Sequence, residues 1–150
     1  MNIKQLLLNN SLFEHLTADE LDRVADMMRP HDLPANTTVF KEGAHGNYVC
    51  FVLEGKLQVL KVKPNGQESV IATLGEGQSV GEMAIIDGLP RSATVRSVTA
   101  ASLLLLKRDD FNTLLSKHPE IAAKILKAIA KMLSIHLRKT SGELSNLLFA

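Results

Sequence analysis

The chain has few of the residues that form covalent cross-links, metal sites or large aromatic surfaces. Its 150 residues include one cysteine, no tryptophan and one tyrosine, and aromatic residues make up only 4%. A single cysteine, Cys50, can form no internal disulfide and no paired-cysteine metal site. The five histidines show no paired ligand spacing, so we expect no metal site. Cys50 lies in an apolar run and is predicted to be a small buried side chain in a protein of a reducing, cytoplasmic compartment.

Charge of one sign and long apolar runs are also missing. The 17 basic and 16 acidic residues leave a formal net charge of +1, so no overall field favours nucleic acid or an anionic membrane. The apolar run near the start is shorter than the core of a signal peptide. No other apolar stretch approaches the roughly 20 residues that span a bilayer. We therefore expect neither a membrane nor nucleic acid as a partner.

Size and periodicity predict one domain, residues 1–150, with three parts. A hydrophobic share of 45% and a charged share of 22% are typical of a soluble globular chain, and 150 residues suit a single core. Residues from about 12 to 30 show a helical pattern, those from about 32 to 107 are strand-rich, and those from about 109 to 139 are helical again.

The helical parts carry recognisable start and stop signals. Thr17 and Glu20 form the pattern of a capping box, and Pro30 is predicted to mark the end of the helix that follows. Further along, Asp109 or Asp110 is predicted to cap a short helix. Pro119 suits the first turn of a longer helix that runs to about residue 139.

One face of that longer helix is apolar. Its positions step by three and four residues, as in a coiled-coil seam: Ala122, Ile125, Ile129, Met132 and then His136. Such a face must be buried, either against the strands of the same chain or against a second copy of the chain. The sequence leaves both possibilities open.

The middle region alternates short apolar runs with turns. Runs of β-branched residues are separated by glycine-containing turns such as Glu54-Gly55 and Pro64-Asn65-Gly66. Short strands at near-regular spacing indicate an antiparallel β jelly-roll barrel. The predicted fold class is mainly β with flanking helices (α+β), with helices before the barrel and a helical lid after it.

Residues 80–95, VGEMAIIDGLPRSATV, contain the parts of an anion site. Arg91 offers a planar fork of donors that suits the two exocyclic oxygens of a cyclic phosphodiester. Gly81 permits close backbone approach, and a helical turn after it would direct free N–H groups at the anion. Ser92 and the amide of Ala93 offer further donors. This pattern predicts a phosphate-binding loop.

Glu82 requires a different partner, because a carboxylate beside a phosphate must face a donor. The ribose 2′-hydroxyl is the natural one, and Glu82 would then select ribose over deoxyribose. Taken alone, either Glu82 or Arg91 would by default be assigned to a surface ion pair, which contributes about 0–1 kcal/mol. The glycine, the turn and the small residues around them favour a ligand site.

On these residues the chain resembles the cyclic-nucleotide-binding domain family. The resemblance rests on Gly81-Glu82-Met83-Ala84 through Pro90-Arg91-Ser92-Ala93, which is similar to the family's phosphate-binding cassette. It extends over roughly residues 12–139 and includes the glycine turns and both helical flanks. It implies a bacterial regulatory domain that binds a cyclic nucleotide and has no catalytic residue, metal or cofactor.

The resemblance also implies roles for further residues. Apolar lining for the base and ribose is implied for Val80, Val59, Ile71 and Ala72. The amides of Met83, Ala84 and Ala93 fall where the cassette's backbone donors lie. A lid over the base is implied for Leu137 or Arg138 on the last helix.

The function that we expect is a sensor of cyclic AMP, with cyclic GMP as the alternative, that signals by moving its C-terminal helices. Ser92 is compatible with either base. A homodimer through the last helix and a separate effector protein are the expected partners.

Three other functions fit the sequence less well. A DNA-binding regulator would need a helix-turn-helix after residue 139, where only about eleven residues follow. A phosphodiesterase would need a metal or a placed base, which the motif lacks. A module that kept the fold without its ligand is disfavoured by the intact motif.

Overall fold

Antiparallel strands joined by tight turns form two four-stranded sheets in the computed structural model, which describes residues 3–149. The helices are α1 (Ile3–Leu8), α2 (Ala18–Met27), α3 (Arg108–Lys117) and α4 (Pro119–Phe149). Two 3₁₀ turns cover Ser11–Phe13, the N-terminal turn, and Glu82–Ile85, the cassette turn. The strands are β1 (Arg29–Leu33), β2 (Thr38–Phe40), β3 (Tyr48–Glu54), β4 (Leu57–Val62), β5 (Glu68–Leu74), β6 (Ser79–Val80), β7 (Thr94–Ser97) and β8 (Ala101–Lys107).

The strand order confirms the predicted jelly roll. One sheet has the order β1-β8-β3-β6 and the other β2-β7-β4-β5, and every pairing is antiparallel. Strands that are neighbours in a sheet are mostly distant in the chain, as in a Greek-key arrangement. The two sheets face each other and remain separate, so the strands do not form a closed barrel.

Two apolar clusters hold these layers together. One lies between the two sheets and includes Val52, Leu57, Val95 and Leu103. Cys50 belongs to it, and burial raises the pKa of its thiol to about 12. Cys50 is fully buried, which confirms the prediction of a small buried side chain.

The second cluster joins the outer face of the first sheet to the helices. Phe13 of the N-terminal turn stacks on Phe51 of β3 with ring centroids 5.0 Å apart. Ile125 and Ile129 of α4 are fully buried in the same cluster. The N-terminal turn and the first half of α4 are thus packed on one sheet as a unit.

The start of α2 follows the predicted capping box. The Glu20 amide donates to Thr17 Oγ1 at 3.2 Å, and the Thr17 amide donates to Glu20 Oε1 at 3.0 Å. The helix ends at Met27, and Pro30 lies within β1 opposite Leu104. Proline is tolerated there because β1 is an edge strand, where a missing N–H need not break a ladder. The first strand consequently begins earlier than the sequence pattern indicates.

The C-terminal helices differ from the prediction at the start of α3 and at the end of α4. The residue before α3 is Lys107, which makes no side-chain cap, so the prediction that an aspartate caps this helix is wrong. Asp109 and Asp110 lie in its first turn, where their charge interacts favourably with the helix dipole. Helix α4 begins at Pro119 as predicted but continues to Phe149. Gly142 does not end it, because an interior glycine costs only about 1 kcal/mol relative to alanine.

The apolar stripe on α4 packs against the chain's own core. Ala122, Ile125 and Ile129 are buried in the helical cluster, and Met132 packs against its edge. His136, at the end of the stripe, is exposed. Across residues 3–149 no helix is long and apolar enough to cross a bilayer, and no group of three or more His, Cys, Asp or Glu side chains is arranged to hold a metal ion.

Candidate functional site

A cavity of about 390 Å³ opens between the second sheet and the segment that follows β6. Its wall contains all of the predicted site residues except three. Those that line it are Val59, Ile71, Val80, Gly81, Glu82, Met83, Ala84, Arg91, Ser92 and Ala93. The structure therefore brings the apolar and the polar parts of the predicted site together in one place.

Ala72 and the two alternative lid residues, Leu137 and Arg138, lie outside the cavity wall. Ala72 pairs with Val59 of β4 at a β-bulge, where the register between β4 and β5 shifts and Ile71 is the extra residue. Ala72 is exposed, and Ile71 rather than Ala72 lines the cavity. Arg138 is exposed on α4, in the part of that helix beyond the buried stripe.

The cassette turn begins at a glycine whose backbone conformation excludes most other residues. Gly81 has φ +86°, in the left-handed region, and reverses the chain between β6 and the turn Glu82–Ile85. The amide of Ala84 donates to the Gly81 carbonyl at 3.1 Å. Within this structure the Ala84 amide is therefore engaged by the turn itself and is not a free donor.

Arg91 is the buried cation of the site. Only 6% of the residue is exposed, and its guanidinium carbon lies 3.8 Å from the ring centroid of Phe40 and 4.8 Å from that of Tyr48. Its Nη2 donates to the Tyr48 carbonyl at 2.7 Å and its Nη1 to the Gly81 carbonyl at 3.4 Å. Backbone carbonyls and aromatic faces thus fix the guanidinium without neutralising it.

Among the described residues Arg91 has no carboxylate within ion-pair distance, so the surface pair with Glu82 does not form. Its Nε is buried and has no hydrogen-bond partner in the part of the chain that the structure describes. Burial lowers the pKa of Arg91, although a guanidinium stays protonated at neutral pH. An uncompensated buried charge is costly, and an anion in the cavity would remove that cost.

Gly46 and Gly81 have no side chains, and the space that results is occupied by Arg91. A Cβ added at Gly46 would be 2.8 Å from Arg91 Nε, and one added at Gly81 would clash with Arg91 Nη1. The sequence pattern assigned Gly81 to close approach of a ligand. The structure shows that the close approach at Gly81 is made by Arg91.

Glu82 lies at the start of the cassette turn and is half-buried. Its Oε1 accepts a hydrogen bond from Ser79 Oγ at 2.7 Å. No protein donor among the described residues reaches Oε2. One carboxylate oxygen is therefore fixed by the protein, and the other can accept from a ligand.

Sequence reasoning missed several residues of the site. Phe40 and Lys61 line the cavity, and Lys61 Nζ donates to the Ser92 carbonyl and lies 3.9 Å from Glu42. Lys61 was within reach of a pattern argument, because it lies two residues after Val59 on β4 and shares its face. No sequence pattern identifies Phe40 as a cavity residue, because its stacking on Arg91 depends on the packing of distant segments.

Comparison with known proteins agrees with this geometry. Residues 30–118 match the family described as the cyclic nucleotide-binding domain. A CRP-like cAMP-activated global transcriptional regulator of Mycobacterium tuberculosis is 26% identical over 97% of this chain and 63% of its own length.

Two solved structures share the fold. The Thermus thermophilus catabolite activator protein has a TM-score of 0.83 at 30% identity, over 93% of this chain and 63% of that one. The regulatory domain of Toxoplasma gondii PKA, crystallised with cAMP, has a TM-score of 0.69 at 34% identity, over 74% of this chain and 42% of that one. The chain spans less than two thirds of the length of the regulator, of the catabolite activator protein and of the PKA regulatory domain. Because the family model matches more than half of its residues, the chain belongs to the cyclic nucleotide-binding domain family.

Proposed function

We propose that the chain is a sensor module that binds cyclic AMP in this cavity and signals through its C-terminal helices. The observation that carries the proposal is the buried guanidinium of Arg91, which lines the cavity and has no carboxylate partner within residues 3–149. A cyclic phosphodiester has one negative charge and would compensate this cation.

The rest of the cavity suits the other parts of a nucleotide. Its volume lies within the range of about 300–1,000 Å³ that small-molecule sites occupy. Val59, Ile71 and Val80 supply apolar walls for a base, and the free Oε2 of Glu82 supplies an acceptor for the ribose 2′-hydroxyl. We choose cyclic AMP over cyclic GMP because relatives of this chain are described as cAMP-activated or were crystallised with cAMP.

Calorimetric titration tests the ligand. We expect saturable binding of cyclic AMP, tighter than binding of cyclic GMP. Binding of 2′-deoxy cyclic AMP should be about 10-fold weaker or more, because an unmet hydrogen bond to a charged group is worth about 1.5–3 kcal/mol. Adenosine, which lacks the phosphate, is the control and should not bind. Absence of binding by both cyclic nucleotides would contradict the proposal, and tighter binding of cyclic GMP would change the ligand.

The output is proposed to run through α4, whose two halves differ. The first half is buried in the helical cluster together with the N-terminal turn. The second half exposes large apolar side chains: Ile135, Leu137, Leu144, Leu147 and Leu148. A helix of 31 residues is about 46 Å long, so this half extends beyond the sheets.

A second copy of the chain is the proposed partner of that exposed half. Leu137, Leu144 and Leu147 are exposed and follow the spacing of a coiled-coil seam, with Thr140 at the position between Leu137 and Leu144. Leu133, one step before them, packs against the edge of the chain's own helical cluster. A seam of this kind is self-complementary and suits a two-fold dimer. It differs from the stripe through Ile125 and Ile129, which the chain buries in its own core.

Light scattering after gel filtration tests this dimer. The wild type is expected to run as a dimer and the Leu137→Glu, Leu144→Glu double variant as a monomer, because two carboxylates would be buried in the seam. Lys139→Glu, which changes a neighbouring residue outside the seam, is the control and should remain dimeric. A monomeric wild type at all concentrations would remove this part of the proposal.

We further propose that the module acts by binding and not by catalysis. Its response would then reach a separate effector protein or another part of a longer polypeptide. Ligand can bias such a response only if it binds two arrangements of the helices with different affinity.

A further inference from the structure

Three side chains form a hydrogen-bonded path from the N-terminal turn to the carboxylate of Glu82. Asn10 Nδ2 donates to Ser79 Oγ at 3.0 Å, and Ser79 Oγ donates to Glu82 Oε1 at 2.7 Å. Asn10 precedes the N-terminal turn and is only 6% exposed. The bond from Asn10 to Ser79 joins residues 69 positions apart, and the path ends at Glu82 in the cavity wall.

The direction of every bond on this path is fixed by groups that have only one role. The Leu12 amide lies 2.9 Å from Asn10 Oδ1 and can only donate, whereas the Gly77 carbonyl lies 3.0 Å from Asn10 Nδ2 and can only accept. Both contacts require the same orientation of the Asn10 amide. The orientation is therefore determined by the network.

Asn10 in turn determines where the Ser79 proton points. Because the Ser79 oxygen accepts from Asn10 Nδ2, its single hydrogen is directed to Glu82 Oε1. A hydrogen bond to an ionised carboxylate is stronger than one between neutral groups. It holds a glutamate that otherwise lies on a short, half-exposed turn with several rotamers open to it.

We propose that Ser79 and Asn10 are positioning residues for recognition of the ribose 2′-hydroxyl. They hold Oε1 of Glu82 toward the protein so that Oε2 faces the cavity, which lowers the entropic cost of binding. This inference rests on the proposed function, since it concerns the same site and a cyclic nucleotide as its ligand. Neither residue touches the ligand in this scheme, and both act through Glu82.

The test compares cyclic AMP with 2′-deoxy cyclic AMP by calorimetry in the wild type and in Ser79→Ala. The variant should lose about 3- to 10-fold in affinity for cyclic AMP and little for the deoxy ligand, so the ratio of the two dissociation constants falls. Ser79→Thr keeps a hydroxyl on the same strand and should retain the wild-type ratio. Ser102→Ala, a serine of β8 in the same sheet, is the matched control and should also retain it.

Asn10→Asp tests the second step of the path. An aspartate keeps an oxygen for the Leu12 amide but removes both Nδ2 donors, so the Ser79 proton can turn from Glu82 to the new carboxylate. We expect the same fall in the ratio as in Ser79→Ala. Thermal unfolding of each variant checks that the domain remains folded, and the Ser79 pair tests the proposal even where Asn10→Asp does not fold.

The outcomes distinguish the positioning role of Ser79 and Asn10 from the proposed binding of a cyclic nucleotide. If the wild type binds neither nucleotide, the proposed function fails and the positioning role fails with it. If the wild type discriminates and Ser79→Ala does so equally well, the positioning role alone is overturned. An equal loss for both ligands in Ser79→Ala shows a structural role and also overturns it.

Discussion

Arg91→Ala is expected to weaken cyclic AMP binding by at least about 100-fold, a change of roughly 2.7 kcal/mol. Charge-assisted hydrogen bonds contribute about 1.5–3 kcal/mol each, and the guanidinium lies in a desolvated position where screening is small. Titration of the variant with cyclic AMP measures the loss. Arg91→Lys should lose most of the same affinity, because an ammonium cannot reproduce the planar fork that stacks on Phe40.

Thermal unfolding separates this effect from damage to the fold. The alanine removes the cation that lies against the rings of Phe40 and Tyr48, but it also removes a buried charge that has no carboxylate partner among the described residues. These effects oppose each other, so the melting temperature in the absence of ligand should change little.

Arg96→Ala is the matched control for Arg91→Ala. Arg96 lies five residues further along, on β7, and pairs with Glu68 at 2.9 Å on the exposed surface. Such a pair contributes about 0–1 kcal/mol, so this variant should bind cyclic AMP as the wild type does. Wild-type affinity in Arg91→Ala would show that the phosphate, if it binds here, is held by other groups.

The local parts of the site were predictable from the sequence because they depend on neighbouring residues. Gly81, Glu82 and Arg91 lie within one short segment whose residue types match the chemistry of a phosphate and a sugar hydroxyl. The capping box at Thr17 and the first turn at Pro119 were predictable for the same reason. Each signal is contained in a few adjacent positions.

The missed parts depend on contacts between distant segments. The stacking of Phe40 on Arg91 and the bond from Asn10 to Ser79 join residues that only the fold brings together. One helix end was misplaced because a neighbouring strand outweighs local preference, since Pro30 pairs within β1. The extension of α4 past Gly142 was missed because an interior glycine costs only about 1 kcal/mol and does not by itself end a helix. Which face of α4 meets the chain's own core also depends on the packing of the N-terminal turn.

Gly81→Ala is expected to weaken cyclic AMP binding by at least about 10-fold, for two separable reasons. The φ of +86° strains an L-residue by about 1–2 kcal/mol, which lowers the free energy of unfolding. The new Cβ also clashes with Arg91 Nη1, so the guanidinium must leave its position against Phe40 and Tyr48. A domain with an ordinary stability of about 5–15 kcal/mol stays folded after a loss of this size.

Gly66→Ala and Gly46→Ala separate the strain from the clash. Gly66 has φ +85° with nothing within 4 Å of an added Cβ, so its alanine variant should lose similar stability and keep wild-type affinity. Gly46 has no positive φ, but its Cβ would be 2.8 Å from Arg91 Nε, so its variant should lose affinity with little loss of stability. Urea unfolding and calorimetry on all three variants give the two quantities independently. If Gly81→Ala and Gly66→Ala bind cyclic AMP equally well, the position of Arg91 against Phe40 and Tyr48 is not the one that binding requires.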